Sequence, residues 1–310
     1  MPAVHGRPHA NAAPSKATVF FRRSFSTLSL WALVTAIFIS RSSWAYLGLI
    51  AVLAVIATLE YFRMLKAAKV PNYPCLGLGL ALGYCAALQI PLARGFVPHP
   101  ALDGVFLFAA LAGAFTLQLR HPVKGLESLL SVAANVLGFV YIAYLFNFLS
   151  RIIFLSDGTQ AVAGKVGDQG AYLMLWVLAV TKFTDMGAYI TGSMIGRNKM
   201  IPHISPGKTW EGFGGALLFS QLAGCGLFAL FPQHLAILGN YGHVVTLGFL
   251  LAILAVIGDL AESVVKRALE AKDSGRMLPG IGGALDLIDS VCFTAPATYF
   301  YLKWFLQPGA

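Results

Sequence analysis

Long apolar runs alternate along this chain with short polar connections. A bilayer core is spanned by about 20 apolar residues, and nine segments of roughly this kind can be placed on the sequence. They cover residues 25–40, 44–62, 75–93, 103–119, 128–149, 171–195, 212–231, 243–260 and 286–306. Because backbone groups in lipid must be satisfied internally, and the segments lack the alternation of barrel strands, they favour helices. The pattern predicts an all-α, polytopic integral membrane protein with about nine transmembrane helices.

The composition excludes a soluble globular protein. The chain has 310 residues, of which 57% are hydrophobic and 11% are charged. Soluble domains carry about 25% charged residues. The net charge of +9 does not indicate a nucleic-acid partner, because the basic residues are spread over the connections between apolar segments.

The basic residues predict the orientation in the membrane. If the N-terminus is cytoplasmic, sixteen Lys and Arg residues lie in inside segments and four in outside segments. The four outside residues are Arg41, Arg94, Arg151 and Lys165. Such an excess on one side is the positive-inside bias, and it predicts N-in and C-out.

The acidic residues suggest how the chain is organised. Eight of the thirteen lie in the last 126 residues. We therefore expect a disordered cytoplasmic tail at 1–20, a transmembrane scaffold at 21–155 and a transmembrane catalytic region at 170–307. Glu60, which ends the second apolar segment, is interpreted as an interfacial charge rather than a functional one.

The sixth apolar segment carries the first candidate group. Lys182 and Asp185 are three residues apart and share a helix face. Ionisable residues inside a span are functional candidates because of their cost, although a buried structural ion pair stays an alternative. Small residues at Gly187, Ala188 and Gly192 would permit close helix packing or the approach of a substrate to the backbone.

The connection between the sixth and seventh segments carries the second group. Its candidate substrate-binding residues are Arg197, Lys199, Ser205, Lys208, Thr209 and Glu211. Three cations and two hydroxyls in one polar connection suit a triphosphate. Inside connections are basic in any case, so the inserted Ser, Thr, Trp and Glu residues are what favours function. A P-loop is excluded because Pro202 stands where its first glycine would be.

The third group surrounds the connection between the last two segments. Asp259 and Glu262 form one i,i+3 pair and Asp286 and Asp289 another, at the same predicted membrane level. Four carboxylates suggest a divalent cation, and hard oxygen ligands favour Mg²⁺. Helix capping stays an alternative for the second pair. The basic residues that would face phosphates are Lys266, Arg267, Lys272 and Arg276.

Together these residues resemble the phosphatidate cytidylyltransferases, or CDP-diacylglycerol synthases. The signature of that family is matched in register by Ser263, Val265, Lys266, Arg267, Lys272, Asp273, Gly275, Leu278, Pro279, Gly282, Gly283, Ala284, Asp286, Ile288 and Asp289. The elements at 185–192 and 205–212 are similar to the family as well. Ile281 and Leu287 depart from it, since relatives carry His and Arg there.

The resemblance implies that CTP and phosphatidic acid react to give CDP-diacylglycerol and pyrophosphate, with Mg²⁺ alone or with a second cation. It implies that Asp259, Asp286 and Asp289 hold metal and that Asp185 and Lys266 are also catalytic. Further substrate-binding residues would be Ser263, Arg267, Lys272, Asp273, Gly282 and Gly283. The expected setting is the inner cell membrane, among membrane lipid, with the site on the cytoplasmic side and a homodimer as an option.

Three other functions stay open. A divergent paralogue would use another lipid acceptor, and a CTP-dependent polyprenol kinase would transfer the γ-phosphoryl group and release CDP. A transporter would use Lys182 and Asp185 to line a pathway. Transporters commonly contain inverted repeats, whereas the charged features here occupy one half of the chain.

Overall fold

The computed structural model describes residues 32–155, 164–271, 274–275 and 282–307. Helices dominate this part of the chain. They are α1 (described over 32–40), α2 (Ser43–Ala67), α3 (Pro74–Ala93), α4 (Leu102–Gln118), α5 (Leu126–Gly138), α6 (Phe148–Ile153), α7 (Asp168–Ile195), α8 (Trp210–Leu230), α9 (Tyr241–Ala268) and α10 (Ala284–Tyr301). π-Helical segments at Phe139–Tyr144 and Leu302–Leu306 and a 3-10 turn at Ala236–Leu238 complete the helical elements that are described.

Within the described residues, six helices are long and apolar enough to cross a membrane. They are α2, α3, the continuous run Leu126–Ile153, α7, α8 and α9. Helix α4 is a shorter apolar helix, and α10 carries Asp286 and Asp289 near its start. The prediction of a helical integral membrane protein is confirmed, while the total of nine spans and the orientation stay predictions.

A small β-hairpin in the connection between α7 and α8 departs from the all-α prediction. Strand β1 (Lys199–Ile201) pairs antiparallel with β2 (Ser205–Thr209). Pro202 and Pro206 disfavour a helix here, and strand pairing satisfies part of the backbone instead. The hairpin therefore gives a defined shape to a connection that the apolar pattern left as a loop.

Helices α7 and α8 pack closely through small residues, which is one of the two interpretations that the sequence left open. A Cβ atom at Gly187 would lie 2.6 Å from the carbonyl oxygen of Gly215 and 2.6 Å from Cβ of Phe219. One at Gly212 would lie 2.8 Å from the carbonyl oxygen of Ala188. Since no side chain separates the two backbones, the hairpin between these helices is held directly beside the C-terminal end of α7.

One hydrophobic core joins the two halves of the chain. Its buried side chains run from Tyr46 in α2 to Leu302 after α10, and the largest of them is Trp176 in α7. A second cluster surrounds Tyr84 in α3. The division into a scaffold at 21–155 and a catalytic region at 170–307 stays a prediction, although helices from both regions form the main core.

The connections meet at two opposite ends of the bundle. At one end the Arg41 guanidinium lies 2.9 Å from the Asp168 carboxylate, and the Gly164 N–H donates to the Ala93 carbonyl at 3.1 Å. At the other end, the Arg267 Nε donates to the carbonyl of Ile204 at 3.3 Å and joins the end of α9 to the hairpin. Connections that the charge pattern assigns to one side thus contact one another.

Substituting Gly187 by alanine should destabilise the fold. The added methyl group would overlap the backbone of α8, and overpacking of this kind typically costs about 1–3 kcal/mol. Thermal unfolding of the purified protein in detergent would measure the loss. Gly214→Ala is the matched control, because a Cβ atom there meets nothing within 4 Å. Equal unfolding temperatures for the two variants would contradict this packing.

Candidate active site

A cavity of about 480 Å³ lies between α7, the β-hairpin, α8 and α9. This volume falls in the range of small-molecule sites, about 300–1,000 Å³. Six residues that were predicted from sequence line it, namely Asp185, Lys199, Ser205, Lys208, Thr209 and Asp259. The structure therefore brings the first two candidate groups to one cavity and joins them to the third through Asp259.

An ion pair crosses the cavity between the hairpin and α9. The Nζ atom of Lys208 lies 2.6 Å from Oδ2 of Asp259. The Lys208 side chain is largely buried and the Asp259 side chain is partly open to the cavity. A cation suited to phosphate and a carboxylate suited to a metal are thus placed side by side.

Asp185 combines the two interpretations that the sequence left open. Its Oδ2 lies 3.5 Å from Nζ of Lys182, so the i,i+3 ion pair forms. The same carboxylate lines the cavity, and its Oδ1 accepts a hydrogen bond from Oγ of Ser290 in α10 at 3.5 Å. The pairing with Lys182 therefore places a neutralised carboxylate at the cavity wall.

Three carboxylates from α9 and α10 form a cluster, of which Glu262 and Asp289 are buried and Asp259 is partly open to the cavity. One oxygen each from Asp259, Glu262 and Asp289 lies within 4.8 Å of the others. The approach depends on Gly258, where a Cβ atom would lie 2.8 Å from the Asp289 carbonyl oxygen. Asp289 is 5% exposed and Glu262 is 2% exposed, so like charges are gathered where water screens them little.

This cluster fits a divalent cation. Oε1 of Glu262 is buried and has no hydrogen-bond partner among the described residues. Buried polar atoms are nearly always partnered, and an unpaired carboxylate oxygen is a hard ligand of the kind that Mg²⁺ and Ca²⁺ prefer. Asp259, Glu262 and Asp289 are therefore the residues that could hold a metal.

The position of Asp286 differs from that expected for a metal ligand. Its Oδ1 lies 2.9 Å from Nζ of Lys266, and its Oδ2 accepts from the Gly283 N–H at 2.9 Å. Lys266 also contacts Oε2 of Glu262 at 2.7 Å. Glu262, and not Asp286, thus forms the cluster with Asp259 and Asp289. Asp286 instead makes the helix-capping contact that the sequence left as an alternative. Its assignment to metal stays a prediction.

Three other candidates hold the hairpin in place. The Glu211 carboxylate accepts from the backbone N–H groups of Arg197 and Asn198 at 3.1–3.2 Å. Oγ1 of Thr209 accepts from the Gly212 N–H at 3.1 Å and thereby caps α8. Arg267 reaches the hairpin through Ile204. These structural contacts explain why a carboxylate, a hydroxyl and a guanidinium stand at these positions. The roles of Glu211, Thr209 and Arg267 in substrate binding stay predictions.

The remaining candidates are Arg197, in the connection between α7 and α8, and residues in α9 or in the connection that follows it. Arg197 is exposed after α7, and Ser263 is half-buried in α9. Gly282 adopts a φ of 121°, which only glycine tolerates readily. A Cβ atom at Gly283 would collide with Oγ of Ser274. Lys272 and Asp273, like Arg276 and Ile281, lie outside the described residues.

Glu60 was misinterpreted from the sequence. The residue is 1% exposed rather than interfacial, and its Oε2 accepts from the Leu285 N–H at 3.0 Å. The carboxylate thus sits at the N-terminus of α10, where the helix dipole favours negative charge. The only sequence signal was an acid within an apolar run, and nothing local indicated its partner 225 positions away.

Comparison of the sequence with known proteins identifies the family of the chain. The sequence profile of the cytidylyltransferase family matches residues 21–305. The chain therefore belongs to the cytidylyltransferase family, and it is a membrane-bound nucleotidyltransferase. The family that the motifs predicted is confirmed.

Curated relatives are identical to the chain at 29–32% of the aligned positions. The protein named phosphatidate cytidylyltransferase of Bacillus subtilis is 32% identical over 83% of this chain and 88% of its own length. The protein of the same name from Mycobacterium bovis is 29% identical over 89% of this chain and 85% of its own. The Escherichia coli protein named YnbB, uncharacterized, is 31% identical over 80% and 79%.

Removing the carboxylate of Glu60 should loosen the start of α10. Glu60→Ala leaves the buried Leu285 N–H without this acceptor, which typically costs about 1–3 kcal/mol. Hydrogen exchange at the Leu285 amide should accelerate, and thermal unfolding should occur at lower temperature. Glu127→Ala, at an exposed position in the first turn of α5, is the control. Unchanged exchange at Leu285 would contradict the assigned contact.

Removing Lys266 should leave Glu262 as an uncompensated buried charge. Breaking one partner of a buried pair typically costs about 3–5 kcal/mol, so Lys266→Met should strongly lower the unfolding temperature. The double variant Lys266→Met with Glu262→Gln should recover much of this stability but no activity. Denaturation and activity assays on both variants test the pair. A single variant as stable as the unmodified protein would refute it.

Proposed function

We propose that this chain is a CTP:phosphatidate cytidylyltransferase, which converts CTP and phosphatidic acid into CDP-diacylglycerol and pyrophosphate. One observation carries the proposal. A cation-lined cavity of nucleotide size is linked by the Lys208–Asp259 contact to the cluster of three carboxylates. The names of the Bacillus subtilis and Mycobacterium bovis relatives support the choice of acceptor.

CTP would occupy the cavity with its phosphates towards the hairpin. Lys199 and Lys208 supply positive charge there, and Ser205 and Thr209 line the same wall. Ammonium groups form charge-assisted hydrogen bonds with phosphate oxygens. The contact of Arg267 with the hairpin supports a role for its guanidinium near the same phosphates.

Phosphatidic acid would reach the cavity from the bilayer. Tyr189 lines the cavity and is also exposed on α7, and Met186, three residues earlier and also exposed, lies on the same helix face. Acyl chains can remain against such a face in lipid while the headgroup phosphate enters the polar cavity. The acceptor thus needs no passage through water.

The chemistry requires positioning rather than a protein nucleophile. An oxygen of the lipid phosphate bonds to the α-phosphorus of CTP, and the bond from that phosphorus to the bridging oxygen breaks as pyrophosphate leaves. Lys208 and Lys266 would offset the charge gathered around the reacting phosphates. A bound Mg²⁺, alone or with a second cation, would supply further neutralisation and polarisation at Asp259, Glu262 and Asp289.

The same proposal includes the topology. Nine spans with a cytoplasmic N-terminus would put the hairpin and the end of α9 on the cytoplasmic face of the inner membrane, where CTP is available. The excess of basic residues on that side supports it. A homodimer stays a prediction.

Purified protein in detergent should release pyrophosphate only when CTP, Mg²⁺ and phosphatidic acid are all present. Asp289→Asn should lower kcat by about 100-fold or more, because it weakens charge stabilisation at the reacting centre. The control is Asp168→Asn. Asp168 is the first residue of α7, whereas the cavity is lined by residues near the other end of this helix, so this variant should retain activity. Full activity in Asp289→Asn, or release that is independent of phosphatidic acid, would contradict the proposal.

A further inference from the structure

Tyr141 carries a buried hydroxyl that the site described above does not use. The residue belongs to the π-helical segment Phe139–Tyr144, in the predicted scaffold half. It is 4% exposed, and its hydroxyl has no hydrogen-bond partner within the described ranges. The ring is held by an edge contact with Phe293 of α10, with centroids 6.1 Å apart.

The other buried tyrosines of the described chain behave differently. The Tyr61 hydroxyl donates to the Ala134 carbonyl at 2.9 Å, and the Tyr84 hydroxyl donates to Asp103 at 2.9 Å. The Tyr46 hydroxyl reaches the Phe38 carbonyl at 3.5 Å. Since buried tyrosine hydroxyls usually find a partner, the unpaired hydroxyl of Tyr141 needs an explanation.

The surroundings of this hydroxyl suggest the explanation. The Phe293 ring that Tyr141 contacts packs against Gly258, where a Cβ atom would lie 3.2 Å from it, and Asp259 is the next residue of α9. The charges of Asp289, Glu262 and Asp259 also act on the hydroxyl. These three carboxylates form the cluster, and Oε1 of Glu262, like the Tyr141 hydroxyl, is buried without a hydrogen-bond partner among the residues that the structure describes. Two orphaned polar groups from different halves of the chain therefore lie at or near the same carboxylate cluster.

The local backbone is consistent with a dedicated role. π-Helical turns are rare and occur frequently at functional sites, where the extra residue changes the direction of a side chain. Here the π-helical segment interrupts the run Leu126–Ile153 at the residue that lies near the carboxylates.

We propose that Tyr141 is a positioning residue whose hydroxyl donates a hydrogen bond to an oxygen ligand of the cation held by Asp259, Glu262 and Asp289. That ligand is either a water molecule or a phosphate oxygen of the nucleotide. The inference rests on the proposed function for its role in turnover, but its effect on cation binding can be measured without turnover. It also makes the scaffold half a contributor to the site.

The test compares Tyr141→Phe with Tyr61→Phe, which removes a hydroxyl that has a partner. Tyr141→Phe should leave the cation-free protein as stable as before or more so, whereas Tyr61→Phe should lower the unfolding temperature. Mn²⁺ binding, followed by electron paramagnetic resonance, should weaken about tenfold to 100-fold in Tyr141→Phe only, as for other groups that orient metal ligands. Weakening with Mn²⁺ alone indicates water, and weakening only with CTP present indicates a phosphate oxygen.

Unchanged Mn²⁺ affinity in both titrations would overturn the inference, as would absence of Mn²⁺ binding to the unmodified protein. A stability loss in Tyr141→Phe equal to that in Tyr61→Phe would also overturn it, because the hydroxyl would then have a structural partner. If the variant weakens Mn²⁺ binding but the unmodified protein releases no pyrophosphate with phosphatidic acid, the inference holds and the proposed function fails.

Discussion

The structure depends on the neutralisation of carboxylates inside an apolar helical bundle. An ionised carboxylate taken out of water must be paired or coordinated, since the cost of leaving it alone is several kcal/mol. Three lysines meet this need within α7, between the hairpin and α9, and within α9, through the contacts Lys182–Asp185, Lys208–Asp259 and Lys266–Glu262. The Lys208–Asp259 contact also fixes the hairpin beside α9, and Lys266 joins α9 to α10 through a further contact with Asp286, so the charges that need pairing help to define the shape of the site.

The cluster of Asp259, Glu262 and Asp289 is the place where this pairing is incomplete. Lys208 and Lys266 each contact one of the three carboxylates, and Glu262 Oε1 has no partner in the described part of the chain. A divalent cation would complete the pairing and supply the charge that phosphoryl chemistry needs. The same carboxylates would thus be destabilising without the cation and functional with it, as is common at active sites.

The sequence predicted most of what depends on local patterns. Apolar runs located the helices, small residues permitted the close packing of α7 and α8, and the motif register identified the family. It could not predict contacts that depend on how distant helices pack. Glu60 reaches Leu285, and Tyr141 lies near the carboxylates, from helices that the acidic pattern assigned to a scaffold.

The sequence also could not predict that Glu262, and not Asp286, belongs to the carboxylate cluster, because this too depends on how α9 and α10 pack. Both residues belong to i,i+3 pairs, and spacing alone cannot distinguish which carboxylates meet in the cluster. Both members of the second pair reach α9: the close approach at Gly258 brings Asp289 to the cluster, while the Asp286 carboxylate contacts Lys266 and the Gly283 N–H. The β-hairpin was missed because strands this short leave no periodic signal.

The most direct test of the account follows the fate of the CTP phosphates. CTP labelled on the α-phosphorus or on the γ-phosphorus is given to the purified protein with Mg²⁺ and phosphatidic acid or, separately, a polyprenol. The account predicts that the α label enters the lipid product and the γ label leaves in pyrophosphate. A γ label in polyprenyl phosphate with release of CDP would contradict it and identify a kinase, and lipid movement without CTP consumption would identify a transporter.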